Sequence, residues 1–328
     1  MQRLILILMA VVVFRVEARS QTALNLDDVL LVIQNNHPSM RMYDADIRSS
    51  DEAAKGARSW MPPELGTGLW MTPYNPSLWK RSADGMNGMG QYMISVQQMI
   101  PNKKELDANE KYLRAVSAAG KESKQANLND LYAAAKKSYY VWLITEKKLK
   151  VLDDNEKLLN FMIQSTEIRY KNNLGKLNAY YKAKAELGNI ENQRIMLQNE
   201  ITQQQVLLNT LMNRDKQALF SIDTTYSIKD YSPADSSYFG QARSDIKAVQ
   251  RNIDLAYLQQ DLERSKLKPQ FGIRYDHMFG FGGLPMQYSL MAMVKLPIAA
   301  WSSRGAKATI ESLKWKEESL SQQKNADQ

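Results

Sequence analysis

The feature that most constrains this chain is an uninterrupted helical pattern between Lys103 and Lys171. The run contains no proline and a single glycine, Gly120, and good helix formers dominate its composition. Positions spaced alternately three and four apart form a long, imperfect heptad pattern. Its members are Leu128, Leu131, Ala135, Ser138, Trp142, Thr145, Leu149, Leu152, Glu156, Leu159, Ile163, Thr166 and Tyr170. At 1.5 Å per residue the run predicts one helix about 100 Å long, several times the length of an ordinary globular helix.

A second heptad pattern follows after a short break. It runs from about Lys176 to Asn213 and predicts a helix of roughly 57 Å. Its members are Leu187, Ile190, Arg194, Leu197, Ile201, Gln204, Leu208 and Leu211. The sequence therefore predicts a long helical hairpin with a small turn. Polar residues within these heptad patterns, such as Glu156, Arg194 and Gln204, argue against a dry core between two helices. They favour helices packed side by side around a water-filled interior.

The segments that flank this hairpin are similar to each other. The stretch from His37 aligns without gaps onto the stretch from Arg243, and the prolines that follow coincide. Each predicts a helix of about 23 residues, from His37 to Trp60 in the first copy, then a proline and a strand. Further on, the segment from Gln91 aligns with the segment from Gln287. The chain is therefore an internal duplication, and each half carries helix, strand, loop, strand and helix.

The four predicted strands each have an apolar and a polar face. In the second strand Tyr92, Ile94 and Val96 alternate with polar residues and methionine, and the other strands are similar. Strands of about ten residues with aromatic residues near their ends are typical of transmembrane barrels, and they fit a soluble, half-buried sheet almost as well. Four strands cannot close a barrel, because the smallest have about eight. A barrel would therefore need several copies of the chain.

The N-terminus has the layout of a signal peptide. Arg3 precedes an apolar run from Leu4 to Phe14, and small residues up to Ala18 predict a signal peptide at residues 1–18. The apolar run is too short for a spanning helix, so export is favoured over a retained anchor. The chain has no cysteine and hence no disulfide framework. Its net charge of +8 is interleaved with acidic residues along helical faces, which disfavours nucleic acid as a partner.

Candidate catalytic groups are scarce. The two histidines, His37 and His277, occupy non-equivalent positions of the repeat, and no glycine-rich phosphate loop follows a strand. We interpret His37 as the start of a helix and His277 as a strand-end residue near a membrane surface. The sequence thus predicts no catalytic, cofactor or metal site, and it predicts that the protein is not an enzyme. Seventeen methionines, several near the strands, leave open the passage of soft ions such as copper(I), although methionine is also an adaptable packing residue.

Taken together, these residues resemble the TolC-type outer-membrane efflux channels, the outer membrane factors of tripartite pumps. The segment RYKNNLGKLNAYYKAKAEL is similar to that family's Tyr-Lys-x-Gly-Leu turn and the Ala-x-x-x-Leu helix after it. The segments QQMIPNKKEL and VKLPIAAWSSRG resemble its strand-ending prolines. The resemblance covers almost the whole chain after about Leu24. It implies a mostly α fold with a transmembrane β part, in which three protomers give four strands each to one twelve-stranded barrel and long α-helical hairpins form a tunnel.

The resemblance also implies roles for three groups of residues. The hairpin tip that contacts the adaptor protein would comprise Tyr170, Lys171, Asn172, Asn173, Leu174, Gly175, Lys176 and Leu177. The strand–helix transitions would be Pro63, Pro101, Pro269 and Pro297. The barrel lumen would be lined by Gln91, Met93, Ser95, Gln97, Arg274, Asp276, Ser289, Met291 and Met293. Asn173 replaces the family's usual glycine, and asparagine tolerates the left-handed backbone that a tight turn needs.

The function implied by the resemblance is a passive exit duct of a tripartite efflux or type I secretion system, for small toxic compounds or metal ions. Its implied setting is the bacterial outer membrane and the periplasm. The implied partners are two further copies in a homotrimer, a periplasmic adaptor (membrane fusion) protein, an inner-membrane pump and outer-membrane lipid. Two other classes stay open, a periplasmic adaptor-like protein and a structural coiled coil. An adaptor should carry small glycine-rich β modules beside its hairpin, and a coiled coil needs no alternating strands.

The duplication also predicts the organisation of the chain. The first repeat spans residues 19–240 and includes an equatorial segment from about Arg214 to Gly240. The second, at residues 241–328, holds a helix, a strand hairpin and the start of a long helix. It stops soon after Pro297, before a second long hairpin. We therefore expect a C-terminally truncated channel, which would be either a non-functional fragment or, as the alternative, a chain that a separate chain completes.

Overall fold

The computed structural model describes residues 23–225 and 243–327. The predicted signal peptide and most of the predicted equatorial segment lie outside the described residues. The helices are α1 (Leu26–Asn36), α2 (Pro38–Lys55), α3 (Lys103–Lys171), α4 (Leu177–Leu211), α5 (Ser244–Lys266) and α6 (Ala300–Asp327). The strands are β1 (Ala23–Leu24), β2 (Glu64–Trp70), β3 (Gln91–Ile100), β4 (Ser221–Ile222), β5 (Gln270–Gly280) and β6 (Gln287–Lys295).

The two long helices confirm the heptad predictions, whereas the bounds predicted for the helix before them need correction. The helix α3 is continuous over its predicted bounds, and α4 lies within two residues of the predicted ones. The prediction of one helix from His37 to Trp60 is wrong, because α2 ends at Lys55 and a separate α1 precedes it. His37 is extended, with φ −63° and ψ 130°, since a residue before proline is pushed out of the helical region.

The chain forms two compact units, whose boundaries fall within α2 and α3. One unit contains the described residues up to Met42 and residues 127–225. Its core is built from α1, α3, α4 and the short parallel pair of β1 with β4. The principal buried side chains are Val29, Ile33, Ala135, Tyr139, Trp142, Leu143, Leu208, Met212 and Phe220.

Two contacts show how this core is held together. The Trp142 ring meets the Phe220 ring edge to face, with centroids 5.0 Å apart. The Tyr139 hydroxyl donates to the carbonyl oxygens of Asp223, at 2.9 Å, and Leu24, at 3.3 Å. Burial raises the pKa of the Tyr139 phenol. This side chain therefore fastens both short strands to α3.

Polar positions of the helical seam are paired across the α3–α4 hairpin. The Ser138 hydroxyl donates to the Gln204 Oε1 atom at 2.8 Å. Nearer the tip, the Arg194 guanidinium binds the carboxylates of Asp153, at 2.9 Å, and Glu156. The hydrogen bond that Arg194 donates to Glu156 is the main cause of the raised pKa of Arg194. Hydrogen bonds and ion pairs thus replace apolar packing at these levels of the hairpin.

The other unit contains residues 43–126 and the described part of the chain after residue 242. Its centre is an antiparallel sheet with the strand order β2-β3-β5-β6. The strands β2 and β5 each begin on the residue after a proline, and β3 and β6 begin at Gln91 and Gln287. These starts fall at equivalent positions of the two aligned segments. Both repeats therefore supply neighbouring strands to a single sheet.

Ion pairs and hydrogen bonds connect the helices of this second unit. The Arg58 guanidinium binds Glu110 on α3 at 2.7 Å, and the Lys124 ammonium binds Asp44 on α2 at 2.5 Å. The helix α5 packs along α6. The Gln260 amide, which is buried on α5, donates to a Glu317 carboxylate oxygen on α6 at 2.7 Å.

Candidate functional site

The strand register brings all nine predicted lumen residues to one face of the sheet. Ser95 on β3, Asp276 on β5 and Ser289 on β6 are direct partners in adjacent strands. The remaining predicted lumen residues lie an even number of positions from this row on the same three strands. We call this the polar face, defined by Gln91, Met93, Ser95, Gln97, Arg274, Asp276, Ser289, Met291 and Met293.

The opposite face of the sheet is apolar and open. We call it the apolar face, defined by Leu65, Leu69, Tyr92, Ile94, Val96, Phe271, Ile273, Tyr275, Tyr288, Leu290 and Val294, all of which are exposed. Leu65 is 77% exposed and Leu290 67%, whereas Asp276 on the polar face is 2% exposed and Ser95 8%. A sheet stabilised in water has the reverse arrangement, because apolar side chains are normally buried. The apolar face therefore requires a covering that is not water.

Two buried side chains of the polar face have partners on the same side of the sheet, although the Gln91 Oε1 atom accepts no hydrogen bond from any described residue. The Arg274 Nε atom donates to the Asp276 Oδ1 atom at 2.8 Å, so the buried carboxylate is neutralised by its neighbour on the same strand. The Gln91 amide donates to the Gln287 Oε1 atom at 2.9 Å. This pairing is what makes the burial of a carboxylate tolerable.

Methionines of the same face converge over one glycine. Gly272 lies between Met99 on β3 and Met293 on β6 in the strand register. A Cβ atom on Gly272 would lie 2.5 Å from the Met99 sulfur and 3.3 Å from the Met293 ε-methyl group. The missing side chain therefore leaves room for two thioether side chains to meet.

The four predicted transition prolines all lie at one end of the sheet, which we call the proline end. Pro63 and Pro269 come directly before β2 and β5, and Pro101 directly follows β3. Pro297 is the second residue after β6. Proline has no backbone N–H to donate to a neighbouring strand, so it limits how far the adjoining strand can extend.

At the opposite end of the sheet the two hairpin loops are packed against each other. The ring of Trp79 stacks on the ring of Phe281 at 5.4 Å between centroids, and the Gly88 N–H donates to the Gly282 carbonyl at 2.9 Å. A Cβ atom on Gly88 would collide with the carbonyl oxygen of Trp79. Sequence reasoning missed this contact, because neither loop has a periodic pattern that would indicate it.

The hairpin tip is a tight turn in which every predicted tip residue is exposed. The Leu174 N–H donates to the Arg169 carbonyl at 2.8 Å, and the Asn173 N–H donates to the Tyr170 carbonyl at 3.0 Å. These are the two bonds of a Schellman motif, which ends a helix through one residue with a left-handed backbone. Asn173 has φ +58° and fills that position, which confirms the predicted tight turn.

An ion pair stabilises the last turn of α3 before the tip. The Lys171 ammonium binds the Glu167 carboxylate at 2.8 Å. Hydrogen bonding to Lys171 lowers the pKa of the Glu167 carboxyl, and the same contact raises the pKa of Lys171. Lysine at this position also interacts favourably with the negative end of the helix dipole.

A second, exposed apolar seam follows α3 beside the one that faces α4. Ile144, Val151 and Leu158 are spaced seven residues apart and are exposed. We call these three residues the outer seam. Val151 lines a groove of about 580 Å³ together with Ile144 and with Met196 of α4. Sequence reasoning missed this seam, although the spacing of seven was a signal that could have revealed it.

His37 directly precedes α2, as predicted, whereas the prediction of His277 as a strand-end residue is wrong, because three residues of β5 follow it. The His37 ring accepts a hydrogen bond from the Ser39 N–H at the start of α2. His277 lies near the middle of β5, with its ring 4.6 Å from that of Phe279. Within the two described ranges, no cluster of histidine, cysteine, aspartate or glutamate could hold a metal ion. No helix among these residues is long and apolar enough to cross a membrane.

Known proteins were compared with the chain by sequence and by structure. Residues 30–214 match the family model described as outer membrane efflux protein. No curated protein matches the sequence. Among solved structures, the outer-membrane channel OprN is 14% identical with a TM-score of 0.71, and the match covers 92% of this chain and 70% of OprN.

Two further solved structures agree with this result. CusC, whose crystal structures concern folding and transmembrane channel formation, is 12% identical with a TM-score of 0.69 over 92% of this chain and 72% of its own. The outer membrane channel CmeC of Campylobacter jejuni is 12% identical with a TM-score of 0.65 over 90% of this chain and 67% of its own. These likenesses confirm the predicted fold class, long helical hairpins joined to a four-stranded β part.

Proposed function

The chain belongs to the outer membrane efflux protein family, and on that basis we propose that it acts as the passive exit duct of a tripartite efflux or type I secretion system. In this role the chain lets solutes pass and performs no chemistry. The choice of cargo and the supply of energy belong to a pump in the inner membrane.

The observation that carries the proposal is the two-faced sheet. Its exposed apolar face is a band suited to the hydrocarbon of the outer membrane, and its polar face is suited to a water-filled lumen. We propose that the nine residues of the polar face line that lumen. The exposed aromatic rings of Tyr92, Tyr275 and Tyr288 suit a membrane-facing surface, because transmembrane barrels carry aromatic girdles.

The open edges of the sheet favour a homotrimer. Both β2 and β6 lie at an edge, and an unpaired edge strand exposes backbone groups that cannot remain unsatisfied in lipid. Three copies would join β6 of one protomer to β2 of the next and close twelve strands. The outer seam would then bury its apolar residues against a helix of a neighbouring protomer.

The hairpin tip is the proposed contact for a periplasmic adaptor protein. Its eight residues are exposed, and the Schellman motif fixes the backbone that presents them. A rigid, exposed turn loses little conformational freedom on binding, which favours its use as a docking point.

Small toxic compounds are the first candidate cargo, and metal ions are the second. The second candidate is favoured by the convergence of Met99 and Met293 over Gly272, because thioether sulfur prefers soft ions such as copper(I). Export of copper or silver should then fall when both methionines are replaced by leucine, whereas export of an organic dye should be unchanged.

The proposed duct is tested by expressing the protein from its gene, separating the inner and outer membranes, and running the outer-membrane fraction on a semi-native gel. We expect a trimer in that fraction. A folded monomer in the periplasmic fraction would contradict the proposal and favour an adaptor-like or structural coiled-coil protein. Adaptor binding is tested on the same material by crosslinking through a cysteine introduced at Asn172.

A further inference from the structure

A groove of about 460 Å³ lies at the proline end of the sheet and is lined by cations. Lys268 precedes Pro269, Lys295 is the last residue of β6, and both line the groove together with Met61 and Trp301. Lys295 and Gln270 are register partners and lie on the same side of the sheet as the polar face. Met61 precedes the edge strand β2, whereas Trp301 follows the opposite edge strand β6. The groove therefore spans the width of the sheet at its proline end.

A second groove continues from the first between α3 and α5. It has a volume of about 660 Å³, and Lys268 lines it together with Lys104 and Lys111. Both volumes fall in the range of small-molecule sites. Five lysines, with Lys266 of the first groove included, therefore line two adjoining spaces.

The carboxylates of these grooves are already bound to other groups. Glu105 accepts a hydrogen bond from Gln270 at 2.9 Å, Asp107 pairs with Arg58 at 2.9 Å, and Asp261 pairs with Arg264 at 2.9 Å. The remaining lysine of the first groove, Lys266, pairs with Glu263 at 2.6 Å. Within residues 23–225 and 243–327, Lys104, Lys111, Lys268 and Lys295 form no ion pair with a carboxylate.

Two of these ammonium groups are in unfavourable proximity. Contact with the Lys104 ammonium is the main reason why the pKa of Lys268 is lowered, with desolvation as the second. Like charges held together raise the free energy of a site, and an anion placed between them removes that cost. The two grooves are lined by six cationic side chains (Lys104, Lys111, Arg264, Lys266, Lys268 and Lys295) and by three carboxylates (Glu105, Asp107 and Asp261), so they carry a net positive charge.

We infer that Lys104, Lys268 and Lys295 form an anion-binding site at the proline end of the sheet. We further infer that the duct prefers small organic anions as cargo. The inference rests on the proposed function, because the polar face of the sheet lines a lumen only if the strands form a barrel. In a trimer the site would occur three times around the passage. The exposed Trp301 ring and Met61 beside the lysines add an apolar wall that suits an organic anion better than a simple inorganic one.

The test is the ion selectivity of the purified protein in a planar lipid bilayer under a potassium chloride gradient. We expect a reversal potential that indicates a preference for chloride over potassium. The double variant Lys268→Gln and Lys295→Gln should move the reversal potential toward potassium preference. The matched control is Lys216→Gln, which removes an exposed positive charge from the segment after α4, in the other compact unit.

A second measurement does not depend on conductance. Binding of pyrenetetrasulfonate, a small aromatic polyanion, is measured by equilibrium dialysis against the detergent-solubilised protein. We expect the double variant to bind this probe roughly tenfold more weakly, because two attractive charges are lost, and the control to bind it normally.

The two measurements separate the inference from the function on which it rests. Absence of conductance together with lysine-dependent probe binding would contradict the duct and leave the anion site in place. Conductance with potassium preference in the unchanged protein, or with equal reversal potentials in the unchanged protein and the double variant, would overturn the inference and leave the duct in place. Potassium preference would also favour metal ions as cargo.

Discussion

Single residues at the ends of helices determine how the long hairpin turns. Asn173 after α3 and Asn213 after α4 both have a positive φ, +58° and +55°. Asparagine is the residue other than glycine that most readily adopts this backbone, because its short polar side chain can bond locally. The Asn213 side chain also donates to the Asn36 carbonyl at 3.3 Å, which joins the ends of α4 and α1. The turn after α4 therefore combines a permissive backbone with a polar contact.

The Asn173 turn gives a prediction at the residue scale. Replacing Asn173 with valine should destabilise the turn by about 1–2 kcal/mol, because a β-branched residue is disfavoured in the left-handed region, whereas Asn173→Gly should be neutral or slightly stabilising. Hydrogen exchange of the Leu174 amide measures this locally and should be about tenfold faster in Asn173→Val. Asn189→Val, on the exposed surface of α4, is the control. Equal exchange rates of the Leu174 amide in both valine variants would show that the stability of the turn does not depend on the backbone conformation of residue 173.

The loop contact gives a second residue-scale prediction. Gly88→Ala should separate the two hairpin loops, because the new methyl group collides with the backbone carbonyl of Trp79, at a cost of about 1–3 kcal/mol. Faster proteolysis of residues 71–90 would report the separation. The control is Gly68→Ala on β2, where an added Cβ atom meets nothing within 4 Å. Equal resistance of the loops to proteolysis in both variants would contradict the predicted role of Gly88 in the loop contact.

At the scale of elements, the outer seam of α3 is the part of the hairpin that needs a partner. Val151→Asp should weaken self-association, because about 1.5–3 kcal/mol of apolar burial is lost at each copy and a charge is buried instead. The measurement is the molar mass in detergent by light scattering, with helical content checked by circular dichroism. Leu219→Asp, an exposed apolar residue in the segment after α4, is the control. A trimer that survives Val151→Asp would place the protomer contact elsewhere.

Elements with a strong period could be predicted from the sequence, and features without one could not. The bounds of α3 follow from a heptad pattern free of proline, and the polar face follows from alternation together with strand pairing. The start of α2 near His37 was predicted, but its end was placed at Trp60 and lies at Lys55. The grouping of the lysines at positions 104, 268 and 295 was not predicted, since it depends on how the helices pack at the end of the sheet.

For the whole molecule, the environment of the sheet decides how it responds to charge. Leu290 and Met291 are adjacent on β6 but lie on opposite faces. Leu290→Arg should destabilise the protein in lipid by about 2–4 kcal/mol, the cost of a cation on the lipid face near mid-bilayer, whereas Met291→Arg should cost little because it faces water in the proposed lumen. Outer-membrane yield and unfolding in lipid vesicles measure the difference. Similar losses for both variants would contradict a membrane-facing apolar face.

The pairing of β3 with β5 has a consequence for how the molecule reaches its folded state. Ser95 and Asp276 are direct partners, yet more than half of the chain lies between them. Contacts that close so long a loop form slowly, because the entropy of closure must be overcome before the contacts stabilise anything. The α3–α4 hairpin needs only local contacts and can form first. The newly exported chain should therefore pass through a state with a completed rod of helices and unpaired strands, and it is in this interval that the protein depends most on protection from aggregation.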